Sequence, residues 1–238
     1  MKILYFVNGL DYKGGIARIV SDKANYLSDE TEHFVYICTL KNCNNSYPIS
    51  NKINILTLGI ERGHGFFYKL WLCVNSVRKL RKTINKIQPD IIVNAQTELV
   101  TWILPFINRK IPKIMEIHFS KDGMKSNVRG KSKLFRFVYW HSINFFYSKY
   151  TKFVVLTPED KQQWKLKNCV VINNFTRLNI NRLSTVDKPN IICVGRYCVQ
   201  KRLDLLVETW RKIAHKYPQW NIYVYGGRPM QKAHTRLD

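Results

Sequence analysis

KILYFVNGLDYKGGIARIV, residues 2–20, opens as an apolar strand-like run, crosses a polar turn holding two adjacent glycines, and continues as a helical pattern. Beyond the turn, Ile16, Ile19, Val20, Ala24 and Leu27 recur at helical spacing. A buried strand passing straight into a helix is the first half of a βαβ unit. The pair Gly14-Gly15 would leave backbone amides bare at the helix start, where the partial positive charge favours an anion. Taken alone, a glycine pair is as readily a plain turn. It is not G-x-G-x-x-G, so no dinucleotide site is read from it.

The alternation continues outward. Residues 34–40 (FVYICTL) and 53–58 read as strands, and Phe67, Leu70, Trp71, Val74, Val77, Leu80, Ile84 and Ile87 as one face of a long helix that stops at Gln88-Pro89. Strands are expected at 91–94, 113–118, 153–156 and 170–173. Helices are expected at 97–107, 131–147 and 158–165, with a polar loop at 120–130. Strands alternating with helices predict a parallel sheet covered on both faces. Residues 175–189 are polar and unpatterned and read as a linker. The pattern then restarts with strand 190–195, helix 202–216 and strand 221–225, before a tail, RPMQKAHTRLD, without apolar periodicity. The expected organisation is domain 1–174, linker 175–189 and a second, shorter domain 190–238.

The chain has 238 residues, 45% of them hydrophobic, which is enough for a real core. Six cysteines (Cys38, Cys43, Cys73, Cys169, Cys193, Cys198) show no metal-binding spacing and several sit in apolar runs, so they read as reduced core thiols of a cytoplasmic protein. The longest apolar run is too short for a membrane span. The formal net charge of +23 admits nucleic acid, an anionic membrane or a phosphorylated substrate. Residues 121–152 alone carry Lys121, Lys125, Arg129, Lys131, Lys133, Arg136, Lys149 and Lys152 against Asp122.

Four stretches together, GLDYKGGIARIVSDKANYL from Gly9, EIHFS from Glu116, VINNF from Val171 and VGRYCVQKRLDLLVETW from Val194, resemble the GT-B glycosyltransferases of family 4. The last is the most specific, matching the pattern G-R-x(3-5)-K-G-x-D-x-L-I except that Arg202 stands where glycine is usual. The resemblance implies a GT-B α/β fold, with a complete N-terminal Rossmann-like domain and an incomplete second one. It implies a retaining, metal-independent enzyme with no cofactor beyond its nucleotide-sugar co-substrate, and a glycan or lipid-linked acceptor in cell-surface polysaccharide synthesis. Arg196 and Lys201, with Gly14 and Gly15, are then expected to bind donor phosphates. Arg18 is expected to add a phosphate contact, His118 to lie near the transferred sugar, and the Gly14-Gly15 loop to face the interdomain cleft.

A metal-free enzyme needs such groups, because the leaving diphosphate gathers negative charge as the sugar–phosphate bond breaks. The family's E-x7-E carboxylates have no counterpart after Glu208, so this polypeptide alone is expected to transfer sugar poorly. The remaining reading is a non-catalytic remnant or a basic protein that binds nucleic acid or membrane. No nucleic-acid-reading module is recognisable, and nucleic acid is not expected as a partner. The helix at 131–147 has two readings: Phe135, Val138, Tyr139, Ser142, Ile143 and Phe146 facing the core, or Lys131, Lys133, Arg136, Phe137 and Trp140 meeting the inner face of a membrane.

Overall fold

The computed structural model describes residues 1–11, 14–41, 44–60, 66–176, 183–198 and 201–227. Cys43, residues 177–182 of the linker and the tail 228–238 lie outside them. The chain divides into two compact units, Met1–Thr176 and Arg177–Asp238.

In the first unit seven strands form one wholly parallel sheet: β1 (Lys2–Val7), β2 (Phe34–Thr39), β3 (Asn54–Thr57), β4 (Ile91–Asn94), β5 (Lys113–Glu116), β6 (Lys152–Val155) and β7 (Cys169–Val171). The spatial order is β3-β2-β1-β4-β5-β6-β7, so the direction of winding reverses between β1 and β4. Such a reversal opens a crevice at the C-terminal ends of the two strands, where α/β sheets bind ligands.

Alternate residues of β1 face opposite sides of the sheet. Ile3, Tyr5 and Val7 pack with Ala17, Val20 and Ala24 of α1 (Gly15–Asp29). Leu4 and Phe6 belong to the larger core with Leu80, Ile84 and Ile87 of α2 (Phe66–Ile87) and Val100 of α3 (Leu99–Ile103). Ile143 and Tyr147 of α5 (Lys133–Ser148) and Trp164 of α6 (Pro158–Trp164) join the same core. The helix boundaries follow local chemistry. Ser132 Oγ accepts from Phe135 N, and Thr157 Oγ1 from Asp160 N with Pro158 in the first turn, each satisfying an orphan amide. Gln88, left-handed at φ 51°, ends α2 before Pro89.

The expected polar loop at 120–130 contains helical turns instead: α4 (Lys121–Met124), with Ser120 accepting from Gly123 N, then a 3-10 turn at Lys125–Val128. The apolar stripe of α2 is only partly internal, since Trp71 and Val74 are exposed. Phe135 and Val138 of α5 also face solvent. Among the described cysteines only Cys38 and Cys169 are core thiols; Cys73 is exposed, and all five are free. Among the described residues no helix is long and apolar enough to cross a membrane.

In the second unit β8 (Asn190–Val194) pairs in parallel with β9 (Asn221–Tyr225), joined by α7 (Leu203–Ile213) and a 3-10 turn at Ala214–Lys216. No residue of α7 is buried.

Candidate active site

The register of the central strands aligns Phe6 of β1 with Asn94 of β4, and Asn94 with Met115 of β5. Two residues further along each strand stand Asn8, Gln96 and Ile117, with His118 next. These positions form the C-terminal edge at the winding reversal. Several buried polar atoms there lack hydrogen-bond partners among the described groups: Asn8 Oδ1, both amide atoms of Gln96, and His118 Nδ1, while His118 Nε2 faces only the Glu116 carboxylate. Buried polar atoms are nearly always hydrogen-bonded, so a cluster of orphans at a sheet's C-terminal edge marks a place for a polar ligand.

Beneath them Asn94 is bonded through its amide nitrogen, while its Oδ1 is a further buried atom without a partner among the described groups. Asn94 Nδ2 donates to Thr101 Oγ1 at 3.0 Å and to the Tyr150 hydroxyl at 3.2 Å, while that hydroxyl donates to the Thr101 carbonyl at 2.8 Å. Thr101 Oγ1 donates to the Gln96 carbonyl at 2.7 Å, tying down the backbone that presents the Gln96 amide. Burial pushes the Tyr150 phenol well above its ordinary range, so it remains a neutral donor.

His118 has a charged neighbour. The Glu116 carboxylate receives both hydrogen bonds of a fork from Lys23 Nζ on α1, each 3.0 Å. His118 Nε2 lies 3.6 Å from Glu116 Oε2, close enough for charge to be felt but beyond a good hydrogen bond. Burial alone would raise the Glu116 pKa; His118 and Lys23 together outweigh it and hold the carboxyl below its usual range. The nearby negative charge adds to burial in raising the Tyr5 phenol.

Gly14 caps α1 without a side-chain partner, and the first helical bond runs from Arg18 N to the Gly14 carbonyl at 3.1 Å. The amides of Gly15, Ile16 and Ala17 therefore precede the intrahelical ladder. A Cβ placed on Gly15 would meet nothing within 4 Å, so the space above this helix end is open. Arg18 is exposed and lies 3.7 Å from Asp22. Tyr12 and Lys13, in the same loop, lie outside the described residues.

In the second unit Gly195 N donates to the Tyr225 carbonyl and Tyr197 N to the Gly227 carbonyl, both at 2.9 Å. The two chains approach so closely that a Cβ on Gly226 would stand 1.8 Å from the Gly195 carbonyl oxygen, so only glycine fits. Lys201 folds its stem over Gly195, whose added Cβ would touch it at 3.6 Å. Arg196 and Lys201 are thereby presented on one exposed strand–loop–helix junction. Arg202, in the position where glycine was expected, adopts the left-handed conformation at φ 48°, ψ 43° and caps α7.

The first unit thus brings Gly14, Gly15 and Arg18 to one helix start and His118 to the adjacent sheet edge. The sequence reading missed Asn8, Gln96, Lys23 and Glu116. Polar residues directly after an apolar strand (VNG, VNAQ) were the available signal for the first two, and a carboxylate inside KIMEIH for Glu116. Among the described residues, no three His, Cys, Asp or Glu side chains come together as a metal site.

A parallel sheet with this reversal, a polar C-terminal edge and a second strand–helix–strand unit are the parts of a GT-B type fold, and solved structures match it. S. aureus TarM superposes with a TM-score of 0.64 at 12% identity, over 95% of this chain and 71% of that one. Sucrose-phosphate synthase of Thermosynechococcus elongatus gives 0.68 at 15% identity, over 98% and 64%. A UDP-GlcNAc 2-epimerase from Neisseria meningitidis also matches, at 0.55 and 12% identity over 97% and 73%, so the fold alone does not name a reaction. The chain belongs to glycosyltransferase family 4, whose profile matches residues 13–178. It is 26% identical over 233 residues to an uncharacterised glycosyltransferase of Haemophilus influenzae. It is also 26% identical over 243 residues to the amylovoran biosynthesis glycosyltransferase AmsD of Erwinia amylovora. Each alignment covers 94% of this chain and 62% of the relative's length.

Proposed function

We propose that the protein transfers a sugar from a nucleotide-sugar donor to a glycan or lipid-linked acceptor in cell-surface polysaccharide assembly, retaining the anomeric configuration and using no metal ion. Family membership and the relative named for amylovoran biosynthesis support this reading. The observation that carries it is the set of unpartnered groups on Asn8, Gln96 and His118, since a polyhydroxylated substrate supplies donors and acceptors to all three.

In this mechanism the His118 ring binds a sugar hydroxyl and orients the ring, held in place by the scaffold that carries Glu116 and Lys23. Negative charge on the departing diphosphate is met by the planar fork of Arg196 and the ammonium of Lys201. The amides that follow Gly14 and Gly15, and Arg18, serve donor phosphates in the same way. The protein works at the cytoplasmic face of a membrane, attached peripherally.

The test is transfer of radiolabel from UDP-glucose, UDP-galactose, UDP-GlcNAc and GDP-mannose into extracted lipid and glycan acceptors. It uses the protein purified from its natural source. The natural protein is expected to transfer label from one donor, with retained configuration by NMR of the product, and His118→Ala to lower the rate about 100-fold, as loss of a positioning contact does. Absence of transfer from every donor by the natural protein sinks the reading.

A further inference from the structure

An ordinary surface helix turns its polar side to water. α5 instead exposes large apolar side chains alongside its basic ones. Leu134 is 73% exposed, Phe137 60%, Val138 53% and Phe145 52%, and these residues form one outward stripe. Directly beside the stripe lies a pocket of about 800 Å³, whose wall includes Lys125, Arg129, Lys133, Arg136, Phe137 and Trp140. Asp122, the carboxylate in that wall, is held by Lys125 at 2.5 Å. Among the described residues no carboxylate pairs with Arg129, Lys133 or Arg136. Trp140 is fixed from behind, with Lys121 Nζ 5.3 Å from its ring centroid and 4.7 Å from that of Trp164.

Two unfavourable features therefore sit side by side: three uncompensated cations around one concavity, and a ridge of large apolar side chains in water. A ligand that relieves both must be anionic and amphiphilic. We propose that this pocket seats the phosphate of an anionic membrane lipid, gripped by the guanidinium forks of Arg129 and Arg136, while Leu134 and Phe137 enter the acyl boundary. The proposal rests on the peripheral-membrane part of the reading above and assigns it to one pocket rather than to the overall basic charge. A soluble acidic polymer would satisfy the cations but leave the ridge in water, so the lipid is the better fit.

The test is co-sedimentation of the full chain with phosphatidylglycerol/phosphatidylcholine vesicles and with phosphatidylcholine alone. Three exposed double variants are compared: R129Q/R136Q in the pocket, L134S/F137S on the ridge, and R81Q/K82Q on α2, which removes the same charge elsewhere. Binding only to the anionic vesicles is expected. R129Q/R136Q should weaken it about 30-fold, the sum of two basic residues at an anionic surface. L134S/F137S should weaken it about tenfold, and R81Q/K82Q less than about threefold.

No binding by the unaltered chain overturns the pocket and the peripheral-membrane reading together. Equal losses in R129Q/R136Q and R81Q/K82Q overturn the pocket alone. Unchanged binding by L134S/F137S, with dextran sulfate competing as well as vesicles, shows a soluble-polyanion site and overturns the lipid. None of these readouts depends on sugar transfer, so they stand apart from the catalytic reading.

Discussion

The two units obey the same sequence grammar and reach opposite outcomes. KILYFV of β1 and NIICV of β8 are both near-continuous apolar strands, each followed by a glycine-containing turn and a helix. In β1, Leu4 and Phe6 are wholly buried; in β8, Ile192 is 64% exposed and Val194 74%. Strands of a parallel sheet need cover on both faces. β1 has it from α1 on one side and from the core shared with α2 and α3 on the other. The described residues of the second unit include one helix, two strands and no comparable core. Periodicity announces a strand, but neighbours decide whether it is buried.

The sharpest way to break this contrast is to cut one side chain from each unit. Trp164 is 2% exposed and packs against Tyr147 and Phe153 with ring centroids 5.4 and 5.2 Å apart. Trp164→Ala is expected to destabilise the first unit by about 3–5 kcal/mol, read as the urea midpoint by circular dichroism. Ile192→Ser, an equally apolar residue by sequence, is expected to cost less than about 0.5 kcal/mol. Comparable losses would mean that β8 has a packed core after all.

A second, smaller effect probes the edge that carries the candidate site. Glu116→Gln strands the Lys23 ammonium; because the Lys23 side chain is still 19% exposed, the expected cost is about 2–3 kcal/mol, below that of a fully buried pair. The pH dependence follows from the depressed carboxyl. A group whose folded pKa is lowered contributes stability above its unfolded value, about 4.3 for Glu, and loses it as pH falls through the folded one. The difference between the natural chain and Glu116→Gln should therefore be constant near neutrality and shrink below about pH 4. A difference independent of pH would mean that the variant acts through packing rather than charge.

How far the sequence foretold this structure differs along the same line. The parallel sheet was legible because most strands of the first unit are short apolar runs with Gly, Pro or Asn close by. His118, Arg196 and Lys201 were singled out by motif resemblance alone, and their roles belong to the proposed function. Asn8 and Gln96 were not, since what singles them out is a missing partner, and partners are set by strand register. Lys23 and Glu116 lie 93 residues apart in sequence, and only the packing of α1 on the sheet joins them. Nor did the pattern 131–147 say which face of α5 was outward, because its apolar residues encircle the helix.

The smallest expected effect falls where the second unit departs from its family pattern. Where burial contributes little, local backbone terms should be visible, and Arg202 provides one. Its left-handed conformation costs a non-glycine residue about 1 kcal/mol. Its Nε lies 3.2 Å from both carboxylate oxygens of Asp204, but the pair is exposed, and such contacts return little. Arg202→Gly removes the strain and the contact together, while its freer unfolded chain takes back part of the gain. A net stabilisation of up to about 0.5 kcal/mol is expected, seen as roughly twofold slower hydrogen exchange in the amides of α7. Faster exchange would show that the guanidinium's hold on Asp204 outweighs the strain, and that the arginine is a working cap for this helix.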